Sequence, residues 1–255
     1  MNQKVAVVTG SSSGIGLETS LTLAENNFRT YATMRNLDKA SNILEPAEKK
    51  DLSIEVAKLD VTDDFSVHQA IQSIAEKERG QIDLLVNNAG YTQLGAAEDL
   101  SSEEIQAQFN TNVFGIFRTI REVVPIMTGQ TAGGKIINIG SANGFFGVPC
   151  ASAYVATKFA LEGLTQSLRY ELAPFGIKVI IIEPGAISTN VASNSMYLPK
   201  KIQGQSSLSD SSLSSPFIEM TKSIMERSKN GVVNGSPPRI VANVVLEVAK
   251  AEKPN

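Results

Sequence analysis

Six short apolar runs rich in Val and Ile recur along the first two thirds of the chain. They occupy residues 4–10, 28–34, 52–60, 82–88, 135–141 and 177–185. Between them, apolar residues repeat at helical spacing, as in the series Val67, Ala70, Ile71 and Ile74. Short runs without polar alternation are typical of strands buried on both faces, and regular strand–helix alternation implies right-handed crossovers. The pattern therefore predicts an α/β fold: a doubly wound parallel sheet with helices on both faces and a ligand crevice at the carboxyl ends of its strands.

The rhythm changes after the sixth run. Seven of the ten residues in 206–215 are serine, a composition that cannot build a core. Because this insertion follows the last predicted strand, we expect residues 186–236 to form a lid over a substrate; a surface loop without a role is the alternative. Pro237 and Pro238 then open an apolar series that predicts a final helix. No linker precedes the insertion, so residues 1–255 are expected to form one domain.

Composition excludes several classes of function. The 255 residues carry 23 Lys and Arg against 26 Asp and Glu, a formal charge of −3, which offers no field for nucleic acid or an anionic membrane surface. One cysteine and one histidine cannot make an internal disulfide, a His-rich metal centre or a Ser-His-Asp triad by themselves. With neither a signal-peptide core nor an apolar run near ~20 residues, we expect a cytoplasmic protein. The counts leave a carboxylate-only Mg²⁺ site open, but the reaction inferred below needs no metal. Cys150 is interpreted as a small apolar filler or, less favourably, as part of a pocket wall.

The first apolar run leads directly into a glycine-rich turn with the sequence TGSSSGIG (9–16), ahead of a predicted helix. Glycines let the backbone turn tightly and approach a pyrophosphate, and the N–H groups of a helix end attract negative charge. An ordinary tight turn has the same composition, but the strand–turn–helix context favours dinucleotide binding. The expected contact residues are Gly10, Ser12, Ser13, Gly14, Ile15 and Gly16.

The end of the second run bears on which dinucleotide binds. An acidic residue there would bond the ribose hydroxyls of NAD, but the segment reads Ala-Thr-Met-Arg-Asn (32–36) and contains no acid. The guanidinium of Arg35 can pair with a 2′-phosphate, which a carboxylate would repel. The sequence therefore favours NADP, with a solvated surface charge as the other interpretation of Arg35.

Tyr154 and Lys158 stand four residues apart in a predicted helix, so they lie on one face. A nearby cation favours the phenolate, which would let Tyr154 exchange a proton with a carbonyl or alcohol oxygen near neutral pH. Ser141 follows the fifth run, where the crevice is expected, and its hydroxyl could polarise the same oxygen. The competing interpretations are a half-buried tyrosine beside a solvated lysine, and a serine that caps a turn.

These motifs together resemble the short-chain dehydrogenase/reductases, a Rossmann-type single-domain family, over almost the whole chain. The resemblance rests on TGSSSGIG (9–16), LDV (59–61), NNAG (87–90), the second Asn of FNTNVFG (109–115), Ser141, YVATK (154–158) and PGAIST (184–189). It implies a catalytic tetrad of Asn112, Ser141, Tyr154 and Lys158. Tyr154 would be the acid/base, Ser141 would orient the carbonyl, and Lys158 would hold the nicotinamide ribose. Asn112 would anchor a proton-relay water, although a buried Asn satisfying backbone groups is the alternative.

The resemblance also implies cofactor contacts beyond the glycine turn. Asp60 and Val61 would hold the adenine, and Asn87, Ala89 and Gly90 the adenosine-side ribose. The nicotinamide would contact Pro184, Gly185, Ile187 and Thr189.

The implied function is an NADP-dependent oxidoreductase that transfers hydride between nicotinamide and a small carbonyl or alcohol substrate, and the family favours homodimers and homotetramers. An NADP-sensing binding protein without turnover is one alternative, and an epimerase or dehydratase of the longer relatives is another. Members of the family usually carry a further strand after the last helix. Here the sequence ends at Asn255 without one, which leaves substrate enclosure and oligomeric state open.

Overall fold

The computed structural model describes residues 3–188, 196–200 and 216–252. Its main sheet consists of six strands: β1 (Lys4–Val8), β2 (Phe28–Met34), β3 (Ile54–Lys58), β4 (Leu84–Asn87), β6 (Gly134–Ile139) and β7 (Ile177–Ile182). These strands are parallel and lie in the order β3-β2-β1-β4-β6-β7. Each lies within or overlaps one of the six apolar runs, so the predicted doubly wound α/β sheet is confirmed. The order reverses between β1 and β4, and a crevice is expected at the carboxyl ends of these two strands.

Helices cover both faces of the sheet. Their bounds are α1 (Gly14–Glu25), α2 (Ser41–Lys49), α3 (Asp64–Lys77), α4 (Ser102–Phe109), α5 (Gly115–Thr128), α6 (Ser152–Leu172), α7 (Ile218–Val233) and α8 (Pro238–Lys250). The final helix α8 begins at the predicted proline. Among the described helices, none is long and apolar enough to cross a membrane.

Alternate side chains of β1 enter two different cores, because successive residues of a strand point to opposite faces. Val5 and Val7 pack with α3, α5 and α6, whereas Ala6 and Val8 pack with α1 and α8. All four side chains are almost completely buried. This two-sided burial explains why the central strands read as continuous apolar runs.

Two short features escaped the sequence analysis. The two-residue strands β5 (Thr92–Gln93) and β8 (Met196–Tyr197) pair in parallel away from the main sheet, and a π-helical turn (Asn110–Phe114) joins α4 to α5. Neither feature is long enough to leave a hydrophobic period. Both lie beside the crevice, where π-turns are frequently found in functional sites.

The expected lid, residues 186–236, is described only in part. Its serine-rich stretch and Thr189 lie outside the described residues. The described part contains helix α7, which the sequence analysis did not predict. Ser228 and Gly231 of this helix line the crevice described below.

The start of α1 packs directly on the turn that follows β4. A Cβ atom on Gly16 would overlap both the Gly10 carbonyl oxygen and the Asn88 side-chain amide. Gly10 itself has a φ of +69°, and a Cβ there would lie 2.8 Å from the Ala89 Cα. Both glycines are therefore required for the two turns to approach each other.

We predict that Gly16→Ala lowers the free energy of unfolding by about 1–3 kcal/mol, because the added methyl group would overlap the Gly10 carbonyl oxygen and force the backbone to shift. Gly163→Ala is the matched control: that glycine lies in α6, and its Cβ would meet nothing within 4 Å. The control should gain about 0.5–1 kcal/mol from the lower entropy of the unfolded chain. Urea unfolding of the two variants checks both values, and equal effects would contradict the packing role of Gly16.

Candidate active site

Reciprocal hydrogen bonds join the turns after β1 and β4. The Thr9 hydroxyl accepts from the backbone N–H groups of Asn88 and Ala89, at 3.0 and 3.1 Å. In return, the Asn88 amide donates to the carbonyls of Thr9 and Gly10, at 2.9 and 3.1 Å. The glycine turn therefore has a fixed position relative to the carboxyl end of β4, and the crevice opens between them.

The N-terminus of α1 is available for an anion. Its N-cap Ser13 makes no side-chain capping bond, and the first turn of this fully described helix carries no acidic residue. The leading N–H groups of a helix need partners, and a bound phosphate supplies them. Gly14 adopts a φ of +60° at this point, so the chain enters the helix without a Cβ penalty. This cradle fits the pyrophosphate of a dinucleotide.

The end of β2 forms the neighbouring wall. The Ser11 N–H donates to the Thr33 carbonyl at 2.9 Å, and the Asn42 amide donates to the Ser12 carbonyl at 3.2 Å. Arg35 follows β2 directly, is exposed, and lines the crevice together with Ser12 and Ser13. Arg35 therefore borders the same space as the glycine turn.

A third wall comes from the segment after β3. The Asp60 carboxylate accepts from the N–H and the hydroxyl of Thr62, at 2.9 and 2.7 Å, which fixes the turn. Arg118 of α5 donates to the Val61 carbonyl at 3.2 Å. Asp60 and Val61 both line the crevice. They are far from the glycine turn in the sequence, but they border the same space.

Helix α6 brings Tyr154 and Lys158 to the crevice on one face. The Lys158 Nζ lies 5.7 Å from the centroid of the Tyr154 ring and donates to the Ile139 carbonyl at 3.0 Å. The latter bond ties the ammonium to the carboxyl end of β6. Both side chains are half-buried. The electrostatic interaction between the Lys158 ammonium and the Tyr154 ring is therefore screened less than it would be in bulk water.

Asn112 lies in the π-helical turn, and its side chain is hydrogen-bonded on both sides of the amide group. Its Oδ1 accepts from the Tyr91 N–H at 3.1 Å, while its Nδ2 donates to the Tyr91 carbonyl and to the Thr157 hydroxyl, at 3.0 and 3.1 Å. Thr157 in turn donates to the Tyr154 carbonyl at 2.7 Å. Asn112 therefore connects the segment after β4 to the helix that carries Tyr154.

Ser141 begins a short 3₁₀ turn (Ala142–Gly144) after β6. Its Oγ accepts from the Asn143 N–H at 3.2 Å, which is the cap anticipated as the structural alternative. The turn is bonded to the end of β7: Gly140 donates to the Ile182 carbonyl at 2.7 Å, and Ala142 to the Pro184 carbonyl at 3.0 Å. Ser141 also lines the crevice that Tyr154 and Lys158 line.

These walls enclose a crevice of about 580 Å³. Most of the residues singled out in the sequence line it: Gly10, Ser12, Ser13, Gly14, Ile15, Arg35, Asp60, Val61, Ala89, Gly90, Ser141, Tyr154, Lys158, Pro184, Gly185 and Ile187. Gly16 and Asn112 instead support it from behind. The Asn87 side chain points into a buried polar chain, where it donates to Asn138 at 2.9 Å and accepts from Thr119 at 2.7 Å.

The sequence analysis missed an aromatic and apolar part of the crevice. Tyr91, Leu94, Phe146 and Val148 line it, and the Tyr91 ring meets Tyr197 edge-on with centroids 5.5 Å apart. Burial raises the pKa of the Tyr91 phenol. The position of Tyr91 directly after the NNAG motif was a usable clue, whereas the pairing with Tyr197 has no counterpart in the local sequence.

A second cavity of about 490 Å³ adjoins the crevice at Val148, which lines both. Its other walls are mainly apolar: Ala96, Ala97, Pro149, Cys150, Phe217 and Met220, with Glu98 and Ser152. Cys150 is buried and also lines this cavity, so its small side chain serves as packing and wall together.

Comparison with known proteins agrees with this geometry. The family model described as "short chain dehydrogenase" matches residues 4–197. An uncharacterized oxidoreductase, YusZ, from Bacillus subtilis is 38% identical over 98% of this chain and 85% of its own. A 3-ketodihydrosphingosine reductase from Bacteroides thetaiotaomicron is 34% identical over 100% of this chain and 87% of its own. Among solved structures, actinorhodin polyketide ketoreductase with NADPH has a TM-score of 0.78 at 29% identity, covering 97% of this chain and 90% of its own.

Members of this family are oxidoreductases that use NAD or NADP, act on carbonyl or alcohol groups of small molecules, and are commonly oligomeric. The glycine cradle, the free end of α1 and the matched residues all fit a nicotinamide dinucleotide. The chain belongs to the short-chain dehydrogenase/reductase family.

Proposed function

We propose that this protein is an NADP-dependent oxidoreductase in which Tyr154 exchanges the proton with a carbonyl or alcohol oxygen. The observation that carries the proposal is the convergence of Tyr154, Lys158 and Ser141 on one crevice whose other end is the glycine turn. When bound, the nicotinamide ring supplies or accepts the hydride. The protein residues supply the orientation and the proton.

During reduction, the Tyr154 hydroxyl donates its proton to the substrate oxygen as negative charge develops there, and Ser141 donates a hydrogen bond to the same oxygen. During oxidation, Tyr154 accepts the alcohol proton. The positive charge of Lys158, near the Tyr154 ring, favours the phenolate that is left after proton donation. Lys158 has further N–H donors for the nicotinamide ribose, since only one is used on Ile139.

The remaining site residues divide between binding and support. Asp60 and Val61 are proposed to hold the adenine, Ala89 and Gly90 the adenosine-side ribose, and Pro184, Gly185 and Ile187 the nicotinamide; Thr189 lies outside the described residues. Asn112 is proposed to position Tyr91 and α6 through its three hydrogen bonds, and to keep a relay water in register with Tyr154. Asn87 is proposed to act through the shape of β4, because its side chain is engaged in the core.

The two adjoining cavities support a bulky apolar substrate. The crevice has an aromatic wall, and the second cavity continues it past Val148 with mainly aliphatic residues. Apolar walls of this kind gain free energy by removing apolar surface from water. The related 3-ketodihydrosphingosine reductase is named for a substrate that is a long-chain ketone, which agrees with a bulky apolar substrate. We therefore propose long-chain or ring ketones and the corresponding alcohols as substrates, covered by the lid that includes α7.

Exposed phenyl rings support self-association. Phe114, Phe117 and Phe159 expose 43–49% of their surface on the neighbouring helices α5 and α6 and on the π-turn before α5. Exposed apolar side chains that form one patch mark interaction sites, and we propose that these three rings form such a patch. A homodimer or homotetramer formed through these helices is the corresponding proposal.

Tyr154→Phe should lower kcat by about 10²–10⁴-fold, the usual contribution of a positioned general acid, while NADPH affinity stays near that of wild type. Tyr170→Phe is the matched control, because Tyr170 lies on the same helix with 83% of its surface exposed. NADPH oxidation over a panel of aldehydes and ketones provides the measurement. Retention of most activity in Tyr154→Phe would reject Tyr154 as proton donor, and binding of NADPH without any turnover by wild type would favour a sensing protein.

Arg35→Asp should weaken NADPH binding by roughly 1.5–3 kcal/mol, the value of a lost charge-assisted bond, and shift preference toward NADH. Arg79→Asp makes the same change in charge at an exposed residue after α3, and should leave the preference unaltered. Fluorescence titration with the two reduced dinucleotides gives the ratio of dissociation constants. An unchanged ratio in Arg35→Asp would reject the phosphate contact.

Val148→Phe should narrow the space where the two cavities adjoin and lower kcat/KM for long-chain ketones by roughly 5- to 150-fold, as expected for overpacking of about 1–3 kcal/mol. A small aldehyde that occupies only the crevice serves as internal control and should react at nearly the wild-type rate. Equal losses on both substrates would argue against the second cavity as a substrate site.

A further inference from the structure

Two glutamates bring their carboxyl groups together against the turn that carries Ser141. Glu162 belongs to α6, and Glu183 directly follows β7. Their carboxyl groups approach the same point, since a Cβ built on Gly144 would have the Oε1 atoms of both glutamates within 3.4 Å. The Oε1 atom of each is buried and has no donor among the described residues. The mechanism above uses neither carboxyl group.

A hydrogen bond between two carboxyl groups requires a proton, because ionised carboxylates only accept. Two negative charges in contact and away from water repel each other, so one group retains its proton to higher pH. Burial and the contact with Glu162 together raise the pKa of Glu183 to about 7. One proton held between the two groups supplies the donor that the pair lacks.

The pair touches the Ser141 turn at both of its ends. A Cβ on Gly144 would lie 3.2 Å from the Glu183 Oε1 and 3.4 Å from the Glu162 Oε1, and a Cβ on Gly140 would lie 3.2 Å from the Glu183 Cγ. Glu183 also stands between Ile182 and Pro184, whose carbonyls accept the two backbone bonds from the turn. Any displacement of Glu183 therefore reaches both the turn and the Pro184–Gly185 segment.

The same pair acts on the helix of the proton donor. Tyr154, Lys158 and Glu162 are spaced by four residues, so they lie on one face of α6 over two turns. The contact between Glu162 and Glu183 thus joins this face to the end of β7. Lys158, one turn away, is the nearest cation along that face. The ends of β6 and β7 and the turn itself, residues 139–144 and 181–186, contain no other titratable side chain.

We propose that Glu162 and Glu183 share one proton, and that this hydrogen-bonded pair positions the Ser141 turn and the nicotinamide-binding segment against the Tyr154 face of α6. The inference deepens the proposed function and rests on it. Loss of the shared proton at alkaline pH turns the attraction into repulsion and separates the three segments. The two glutamates are positioning residues, since neither of them lines the crevice.

The pH profile of kcat/KM tests this role. Wild-type activity should fall as pH rises through about 7, whereas Glu183→Gln and Glu162→Gln each replace the shared proton with an amide N–H. The ratio of variant to wild-type kcat/KM should then rise by up to about tenfold between about pH 7 and about pH 8.5, as the protonated fraction of the wild-type pair decreases. Glu171→Gln, at an exposed position of the same helix, should show a constant ratio. Constant ratios in both pair variants would overturn the proposal.

Two further measurements are independent of turnover. At pH 6 ordinary carboxyl groups are ionised, so the infrared carbonyl band of a protonated carboxylic acid should be present in wild type and absent in Glu183→Gln. The proton binds the folded state up to about pH 7 but leaves an unfolded Glu near 4.5. The contribution of the pair to the free energy of unfolding is therefore complete below about pH 4.5 and is lost as pH rises to about 7. Between these two pH values, the unfolding temperature of Glu183→Gln should increase relative to that of wild type.

The outcomes separate the two proposals. An absent infrared band in wild type would overturn the shared proton even if the enzyme reduces ketones. A band that is present, in a protein without turnover on any carbonyl compound, would leave the pair intact and reject the proposed function. If one amide variant does not fold, the other carries both the kinetic and the stability comparison.

Discussion

The close approach of two backbone turns at the centre of the sheet is the constraint on which the site depends. Where the strand order reverses, the turns after β1 and β4 are bonded to each other through Thr9 and Asn88. Gly10 and Gly16 allow this approach because neither has a Cβ to separate the chains. The floor of the crevice and the position of the start of α1 follow from this contact, which needs two glycines without a Cβ as well as the side chains of Thr9 and Asn88.

The parts of the fold that could be predicted are those with a local pattern. Strands buried on both faces leave uninterrupted apolar runs, and glycine spacing records the turn that such a sheet needs. Three other contacts join residues that are far apart in the sequence: β5 with β8, Tyr91 with Tyr197, and Glu162 with Glu183. In none of them does the local sequence of one partner indicate the other. Tertiary contacts of this kind are fixed only when the sheet order is known.

Asn87 and Asn88 illustrate the same limit at neighbouring positions. The NNAG motif drew attention to Asn87 for a ribose contact, but the alternation of a strand directs its side chain into the core toward Asn138. The adjacent Asn88 lies past the strand end, lines the crevice and holds the glycine turn. The motif therefore marks a segment that borders the crevice, while the direction of each side chain depends on where β4 ends.

Hydrogen-bonding capacity distinguishes the roles proposed for Asn112, Ser141, Tyr154 and Lys158. Ser141 uses one lone pair to cap its turn, which orients the hydroxyl and leaves its proton for a substrate oxygen. Lys158 donates one of its three N–H groups to the Ile139 carbonyl, which fixes the position of the ammonium. The other two N–H groups are left for a ligand. Asn112 has both amide donors occupied by Tyr91 and Thr157, and any water it holds must be bound through an acceptor. In the proposed reaction, Tyr154 donates the proton to the substrate oxygen, Ser141 donates a hydrogen bond to that oxygen, and Asn112 acts as a support.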